Sequence, residues 1–202
     1  MEFKIVLVII LLIFGWKLYK KLRWLFSGEP RINIEMIPFE AHGYNVRSRL
    51  SEVQWREICK VIHRKNAKGG KLVCQQCGEN GLTQGFNHPV ECHEIWDFNE
   101  SKAVQKLTGM LTLCPLCHKA KHIGLADKMG YGDKARKHMK KHNHWSTSKV
   151  EEYIELSKKI VSEKSGKPYS LDLTYLNRSE FSFLRTKFTI DESHKCNPKF
   201  SE

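Results

Sequence analysis

The chain has 202 residues, enough for one medium-sized domain with short appendages. A hydrophobic content of 41% and the lack of any low-complexity tract exclude a disordered tail. The 34 Lys and Arg residues exceed the 22 Asp and Glu residues and give a net charge of +12, which favours a polyanionic partner, either nucleic acid or an anionic lipid surface. Seven cysteines, an odd number that includes two C-x-x-C pairs, indicate a metal site in a reducing compartment and not a disulfide framework.

The chain begins with an apolar segment, IVLVIILLIF at residues 5–14, which a following Gly-Trp extends to twelve residues. As a helix this segment is about 18 Å long, shorter than the hydrocarbon core of a bilayer, and its length also suits a secretory signal peptide. No A-x-A-like cleavage site follows; the next residues, KLYKKLRWLF at 17–26, are basic and aromatic, as at a membrane interface. We therefore predict a retained N-terminal transmembrane helix in a membrane anchor at residues 1–26, which contacts the lipid bilayer through residues 3–26.

The charges on either side of the apolar segment predict its orientation. The C-terminal side carries Lys17, Lys20, Lys21 and Arg23, whereas the N-terminal side carries Lys4 and the amino terminus. The positive-inside rule then puts everything after residue 17 in the cytoplasm, in a single-pass arrangement with the N-terminus outside. A cytoplasmic location agrees with the reduced state inferred for the cysteines.

A Gly-Glu-Pro triplet at 28–30 separates the anchor from a lead-in at residues 31–50, which we expect to be irregular or partly extended. A helix is predicted to begin at Ser51, because Gln54 three residues later completes a capping box. The Gly-Gly pair at 69–70 stops this helix. Its predicted core face consists of Trp55, Ile58, Cys59 and Ile62.

Beyond the cysteine-rich section, a helix precedes the very basic stretch KARKHMKKHNH at 134–144, which is a short helix or a loop. A second capping-box pattern, Ser148 with Glu151, predicts the start of a further helix. The segment LDLTYL at 171–176 alternates like a closing strand. The predicted organisation is an anchor at 1–26, a folded domain at 31–177 and a polar, basic tail at 178–202.

The two C-x-x-C pairs, Cys74/Cys77 and Cys114/Cys117, have the spacing of zinc knuckles. Each pair can grip one Zn²⁺ from a tight turn, and two pairs complete a tetrahedron. Between the pairs lie 36 residues, more than the roughly 15 to 20 of a simple zinc ribbon, so a further unit is inserted there. We predict a structural Zn²⁺ bound by all four cysteines.

The insert begins with the sequence NHPVECHEIWDF. If this segment is a strand, Glu91 and His93 point to one face of the sheet, and Cys92 and Glu94 point to the other. Glu91 and Glu94 are the carboxylates nearest to His93 in sequence, and the sequence does not decide between them.

Pro115 directly follows Cys114, the first cysteine of the second pair. A helix that begins at Pro115 would carry His118 and His122 on one face, one turn apart. A strand histidine, His93, opposite two helix histidines would form a catalytic pocket fixed by the zinc site.

The blocks PVECHEIW and LCPLCHKAKHIGLA resemble the HNH endonuclease family, whose ββα-metal motif has a histidine on its first strand and a metal-binding helix after LC-x-x-CH. The resemblance runs from Cys74 to Ala126, and residues 31–177 resemble bacterial HNH-type proteins more loosely. It implies an α+β fold in which a ββα-metal core carries a two-knuckle, four-cysteine zinc site and flanking helices. Together with the anchor it implies a bacterial inner-membrane protein with its nuclease domain in the cytoplasm.

The resemblance also implies hydrolysis of nucleic-acid phosphodiester bonds, with DNA as the expected partner. His93 would be the general base that activates water, beside Glu91 or Glu94. His118 would bind a catalytic divalent metal (Mg²⁺, Mn²⁺, Ni²⁺ or Zn²⁺), and His122 would be a second ligand or a phosphate contact. The expected phosphate contacts, which carry no base readout, are Lys119, Lys121, Lys134, Arg136, Lys137, Lys140 and Lys141.

Two positions depart from the family pattern. Cys92 precedes the base histidine where many members have Asp or His, and Gly109 stands where the family's Asn would fall. The departures imply either a rearranged metal shell or a non-catalytic, zinc-bound nucleic-acid-binding or adaptor module at the membrane. A third alternative is a membrane-surface structural protein in which KKLRW and the 134–144 cluster bind anionic lipid. That alternative offers no reason for histidines beside the cysteine pairs.

Overall fold

The computed structural model describes residues 29–166 and 168–191. Contacts divide the chain into two units, residues 1–31 and residues 32–202, and the fold given below is that of the second. The membrane anchor predicted at residues 1–26 lies outside the described residues. Among the helices that are described, none combines the length and the apolar character needed to cross a membrane.

The described part of the chain has a mixed α+β fold around one four-stranded sheet, which confirms the α+β class predicted from the sequence. The strands are β1 (Glu91–Asn99), β2 (Val104–Leu113), β3 (Ser170–Asp172) and β4 (Ile190–Asp191). They are ordered β1-β2-β3-β4 across the sheet. The long hairpin β1-β2 is antiparallel, β3 is parallel to β2, and β4 is antiparallel to β3.

The described α-helices are α1 (Glu52–Asn66), α2 (Pro115–Lys121), α3 (Ile123–Lys128), α4 (Gly132–Asn143) and α5 (Thr147–Lys164). Helix α1 begins as predicted, because the Ser51 hydroxyl accepts from the Gln54 N–H and the Gln54 side chain accepts from the Ser51 N–H. Gly69 and Gly70, both with positive φ, form the tight turn that follows. The lead-in is irregular apart from two short 3₁₀ turns, as expected.

The sheet separates two hydrophobic cores, because successive side chains of the hairpin point to opposite faces. The first core joins one face of the hairpin to helices α2 to α5 and includes Ile32, Ile34, Leu113, Ile123, Met139 and Ile154. The second joins the other face to α1 and the C-terminal segment and includes Trp55, Ile58, Ile62, Cys92, Leu107 and Phe181. A β-bulge between Ile95 and Trp96 interrupts the register of the hairpin.

The start of α5 differs from the sequence prediction. The N-cap is Ser146 and not Ser148, because the Ser146 hydroxyl accepts from the Lys149 N–H at 3.1 Å. The hydroxyl of Ser148 contacts that of Ser146 at 2.8 Å. A capping-box pattern two residues downstream of the true cap therefore misled the prediction, since Ser146 also has a cap-compatible extended backbone.

The predicted closing strand at 171–176 is shorter than expected. Strand β3 ends at Asp172, whose carboxylate accepts from both the N–H and the hydroxyl of Thr174 and turns the chain into a 3₁₀ helix. The predicted tail at 178–202 also needs correction over its described part. Phe181 and Leu184 are buried in the second core, so the chain remains folded up to β4.

The reassigned N-cap predicts different effects for two neighbouring serines. Ser146→Ala removes the hydroxyl that accepts from the first turn of α5 and should lower the free energy of unfolding by about 1 kcal/mol. Ser148→Ala, its matched control, should change it by no more than about 0.5 kcal/mol. Urea denaturation of both variants measures the difference. A larger loss for Ser148→Ala would restore the cap predicted from the sequence.

Candidate functional site

Four cysteines converge at the corner between β2 and α2. Cys114 is the N-cap of α2, where its sulfur accepts from the Cys117 N–H, and Cys74 and Cys77 lie in a turn against it. All four side chains are buried, and their sulfur atoms lie within 4.8 Å of one another. This cluster could hold a metal ion such as zinc.

The donor set fits a cation. The pKa of the Cys117 thiol is raised far above its usual range by its neighbours Cys114, Cys74 and Cys77, because four sulfurs at this spacing cannot all ionise by themselves. A bound divalent ion would remove that penalty, since metal coordination deprotonates a thiol outright. N–H donors also surround the sulfurs, among them the Gln84 side chain, which donates to Cys114 at 3.2 Å.

The cysteine cluster is joined to the hairpin through paired hydrogen bonds. The Gln75 N–H donates to the Thr112 carbonyl at 2.9 Å, and the Thr112 N–H donates to the Gln75 side chain at 2.7 Å. Only Cys114 separates β2 from α2. The direction of α2 over the face of β1 is therefore fixed at its first residue.

Three histidines meet where α2 crosses β1. His93 lies on β1, His118 on α2 and His122 at the C-terminal end of α2, and the ring centroids are 5.0–5.1 Å apart. One ring nitrogen from each lies within 4.8 Å of the others. The structure thus brings together the three histidines singled out in the sequence. His122 is just outside the regular helix, with φ −108° and ψ 51°.

The structure separates the two glutamates that the sequence left as alternatives. Glu91 is on the same face of β1 as His93, and it accepts from Nδ1 of His118 and from His88. Burial raises the pKa of Glu91, but the hydrogen bond and charge of His118 lower it further, to about 2. Glu94 lies on the opposite face, near Val46 and Arg47, and burial raises its pKa. Glu91 is therefore the strand carboxylate that contacts the histidine cluster.

A third carboxylate, Glu35, is a site residue that sequence reasoning missed. Its Oε2 accepts from His93 Nε2 and from the Lys121 ammonium, both at 3.0 Å. Its Oε1 accepts from the N–H of Trp96, which lies at the β-bulge of the hairpin, at 3.3 Å. Glu35 comes from the irregular lead-in, where no periodicity or motif distinguishes it.

The lead-in is held in place along its length, which positions Glu35. The Asn143 side chain bonds both the N–H and the carbonyl of Ile32, and the Gln76 side chain donates to Asn33 at 2.8 Å. The Glu35 N–H then donates to the Lys121 carbonyl at 3.0 Å. These contacts connect the lead-in to α4, to the first cysteine pair and to α2.

The protonation states of the site follow from burial and from its charges. Burial raises the pKa of Glu35, but the hydrogen bond from His93 and the charge of Lys121 bring it down to about 2. Burial lowers the pKa of His93, partly offset by Glu35, and burial with the neighbouring histidines lowers that of His122 to about 3. Both imidazoles are therefore neutral at pH 7. The Nδ1 atom of His93 is buried and has no hydrogen-bond partner among the described residues.

The basic residues predicted to contact phosphate fall into different environments. Lys121 is 3% exposed and bound to Glu35, so its side chain belongs to the interior. Arg136 is ion-paired with Asp127 and Glu151, and Lys119 lies over the Tyr131 ring. The lysines that remain on the exposed surface of α4 are Lys134, Lys137, Lys140 and Lys141.

A cleft of about 450 Å³ opens beside the histidine cluster. Its lining includes Glu35, Met36, His42, His122, Leu125 and Lys128. The cleft gives a small ligand group a route to the edge of the site at His122.

Comparisons with known proteins identify no relative. No family model matches the chain, and neither the curated proteins nor the solved structures include a match to it.

The buried contact between Glu35 and Lys121 predicts strong coupling between these two residues. Glu35→Gln leaves the Lys121 charge in the interior without its carboxylate and should lower the free energy of unfolding by about 3 kcal/mol. The double variant Glu35→Gln/Lys121→Met should be more stable than Glu35→Gln alone, because the uncompensated charge is gone. The coupling free energy is obtained from denaturant unfolding of four proteins equilibrated with Zn²⁺. These are the wild type, Glu35→Gln, Lys121→Met and the double variant. Additive effects would mean that the two side chains do not depend on each other.

Proposed function

We propose that this chain is a membrane-anchored HNH-type endonuclease that hydrolyses phosphodiester bonds, with DNA as substrate. The observation that carries the proposal is the meeting of His93 with His118 and His122 beside a cysteine cluster that could hold a metal ion. Two neutral imidazoles and a carboxylate-bound histidine in one place form a site for metal binding and proton transfer.

The connectivity around the site supports a ββα-metal core. An antiparallel hairpin, β1-β2, is followed at once by α2, and the first strand and the helix supply the three histidines. The four cysteines, proposed to bind structural Zn²⁺, would link the turn at Cys74–Cys77 to the first turn of α2. This is the arrangement that the resemblance to the HNH family implies.

His118 and His122 are the proposed ligands of the catalytic divalent metal. Nδ1 of His118 is bonded to the Glu91 carboxylate, which leaves Nε2 with a lone pair for a metal. The pKa of His122, lowered to about 3, keeps its imidazole unprotonated at neutral pH. A metal bound there would neutralise the scissile phosphate and stabilise the leaving oxygen.

His93 is the proposed general base. Its Nε2–H donates to the Glu35 carboxylate, so Nδ1 carries the lone pair that accepts a proton from water. Glu35 therefore fixes the orientation and the tautomer of His93, and it favours the imidazolium that forms when the proton is taken up. Lys121 and the Trp96 N–H hold Glu35 itself in position.

The two departures from the family pattern have structural counterparts. Cys92 points into the second core, away from the histidines. Gly109 pairs with Ile95, whose Cδ1 would be 3.2 Å from an added Cβ, so a larger side chain there meets Ile95. In this proposal Glu91 and Glu35 hold the histidines in position, a role that the residues at positions 92 and 109 would have in the family.

One observation favours a second candidate function, a non-catalytic zinc-bound nucleic-acid-binding or adaptor module. His93 is only 2% exposed, so water must enter the site before His93 can act as a base. A binding module needs no such access, and the exposed lysines of α4 would serve it equally well.

Substitution of His93 separates catalysis from folding. The full-length His93→Ala variant should lose cleavage of supercoiled plasmid by at least about 100-fold in Mg²⁺, Mn²⁺ or Ni²⁺, because it lacks the base. Its zinc content and its affinity for the divalent metal should equal those of the wild type. His144→Asn, a change at an exposed histidine outside the cluster, is the matched control and should cleave normally.

The same assay decides between the two candidate functions. Undiminished cleavage by His93→Ala would refute its role as base. Failure of zinc-loaded wild type to cleave duplex DNA, single strands or RNA with any of these metals would favour the binding module. A fall in metal affinity with His93→Ala would make His93 a third ligand.

The lysines of α4 predict salt-dependent DNA binding. Lys134→Gln/Lys137→Gln should weaken binding to all sequences similarly and reduce the slope of log K against log salt by up to about 2. Lys60→Gln/Lys68→Gln removes the same charge at exposed positions on and after α1 and should leave the slope nearly unchanged. Fluorescence anisotropy over a range of salt concentrations measures both slopes. Equal effects of the two pairs would mean that net charge, and not the α4 surface, drives binding.

A further inference from the structure

A second group of metal-binding side chains lies directly beside the cysteine cluster. Helix α4 is strongly basic, yet two of its histidines, His138 and His142, are 5% and 8% exposed. They are four residues apart and therefore share one face of the helix, with ring centroids 4.4 Å apart. That face is turned towards the cysteine cluster.

The donor atoms of these histidines converge with two others. One atom each from Cys77, Glu79, His138 and His142 lies within 4.8 Å of the rest. The Glu79 carboxylate is 3.2 Å from His142 Nε2. Bonds of zinc length in a tetrahedron separate the ligand atoms by about 3.3 to 3.8 Å, so small side-chain movements close this set around one ion.

We propose that Cys77, Glu79, His138 and His142 bind a second divalent metal ion of the zinc class, which shares the Cys77 thiolate with the ion of the four-cysteine cluster. The donor set, one sulfur, two imidazole nitrogens and one carboxylate oxygen, is the mixture that Zn²⁺ accepts.

Charge favours a second ion at this place. Four thiolates around one Zn²⁺ carry a net charge of about −2, and the Glu79 carboxylate beside them adds to it. A second divalent ion offsets most of that negative charge, and the two histidines contribute no charge when they bind as neutral ligands. The Lys141 ammonium, 2.6 Å from Glu79, compensates one charge only.

The second ion would also connect α4 to the cysteine cluster. His138 Nε2 lies 3.3 Å from the Cys117 sulfur and 3.8 Å from the Cys114 sulfur. An ion held by α4 and by the first cysteine pair therefore fastens the basic helix to the β2-α2 corner. It does so without involving His93, His118 or His122, so the inference stands apart from the nuclease proposal.

Metal stoichiometry of the full-length protein tests the inference. Wild type, His138→Gln/His142→Gln and Glu79→Gln are equilibrated with Zn²⁺ and analysed by elemental mass spectrometry against protein concentration. We expect both variants to bind one ion fewer than the wild type, or to bind that ion at least about 10-fold more weakly. Lys137→Gln, at an exposed position on the same helix and without a ligand role, is the control and should keep the wild-type number.

Cobalt substitution identifies which ion is lost. The intense thiolate-to-Co²⁺ absorption of the cysteine cluster should remain in both variants, because four sulfurs still bind one ion. Identical stoichiometry and affinity in wild type and both variants would overturn the proposal, and His138 and His142 would then serve only as hydrogen-bond donors to the sulfurs. If the double histidine variant loses all metal, Glu79→Gln decides: one ion lost supports the second site, and none lost refutes it.

Discussion

Four buried sulfur atoms within 4.8 Å of one another at the β2-α2 corner impose the constraint on which the rest of the site depends. Such a cluster could hold a cation such as zinc, which would allow all four thiols to ionise side by side. Once the cation is bound, the turn at Cys74–Cys77 and the first turn of α2 are held together, and the helix must cross β1. Structural zinc sites contribute free energies on the order of 10 kcal/mol to folding, enough to fix this corner in a small domain.

A buried carboxylate, that of Glu35, is the second feature that holds the site in place. Glu35 accepts from His93 and Lys121 at one oxygen and from the Trp96 N–H at the other, so both carboxylate oxygens are hydrogen-bonded. The hydrogen bonds of this network favour one arrangement of the interior, and the loss of one member leaves a buried group uncompensated. The lead-in is therefore part of the site and not a linker, since it supplies the group that orients the central histidine.

Much of this arrangement could be predicted from local sequence, and the remainder depends on tertiary contacts. The knuckle spacing of Cys74/Cys77 and Cys114/Cys117, the alternation around His93 and the helix after Pro115 are short-range signals, and the described structure contains each of them. Glu35 could not be found in this way, because it reaches the site from an irregular segment 58 residues before His93. The same holds for His138 and His142, which look like part of a solvated basic stretch until the packing of α4 buries them. Ser148 and Asp172 show that a local pattern can also mislead. The capping-box pattern at Ser148 competes with the better-placed hydroxyl of Ser146, and the strand pattern at 171–176 competes with the turn that begins at Asp172.

The central claim is that His118 and His122, with His93 beside them, form a divalent metal site on a hairpin-helix corner. Anomalous diffraction from crystals of the full-length protein grown with Ni²⁺, recorded at the nickel absorption edge, tests it most directly. The account predicts a peak about 2.0 to 2.1 Å from Nε2 of His118 and from one nitrogen of His122. Nickel peaks confined to the cysteine cluster or to α4, with none between these two histidines, would contradict it.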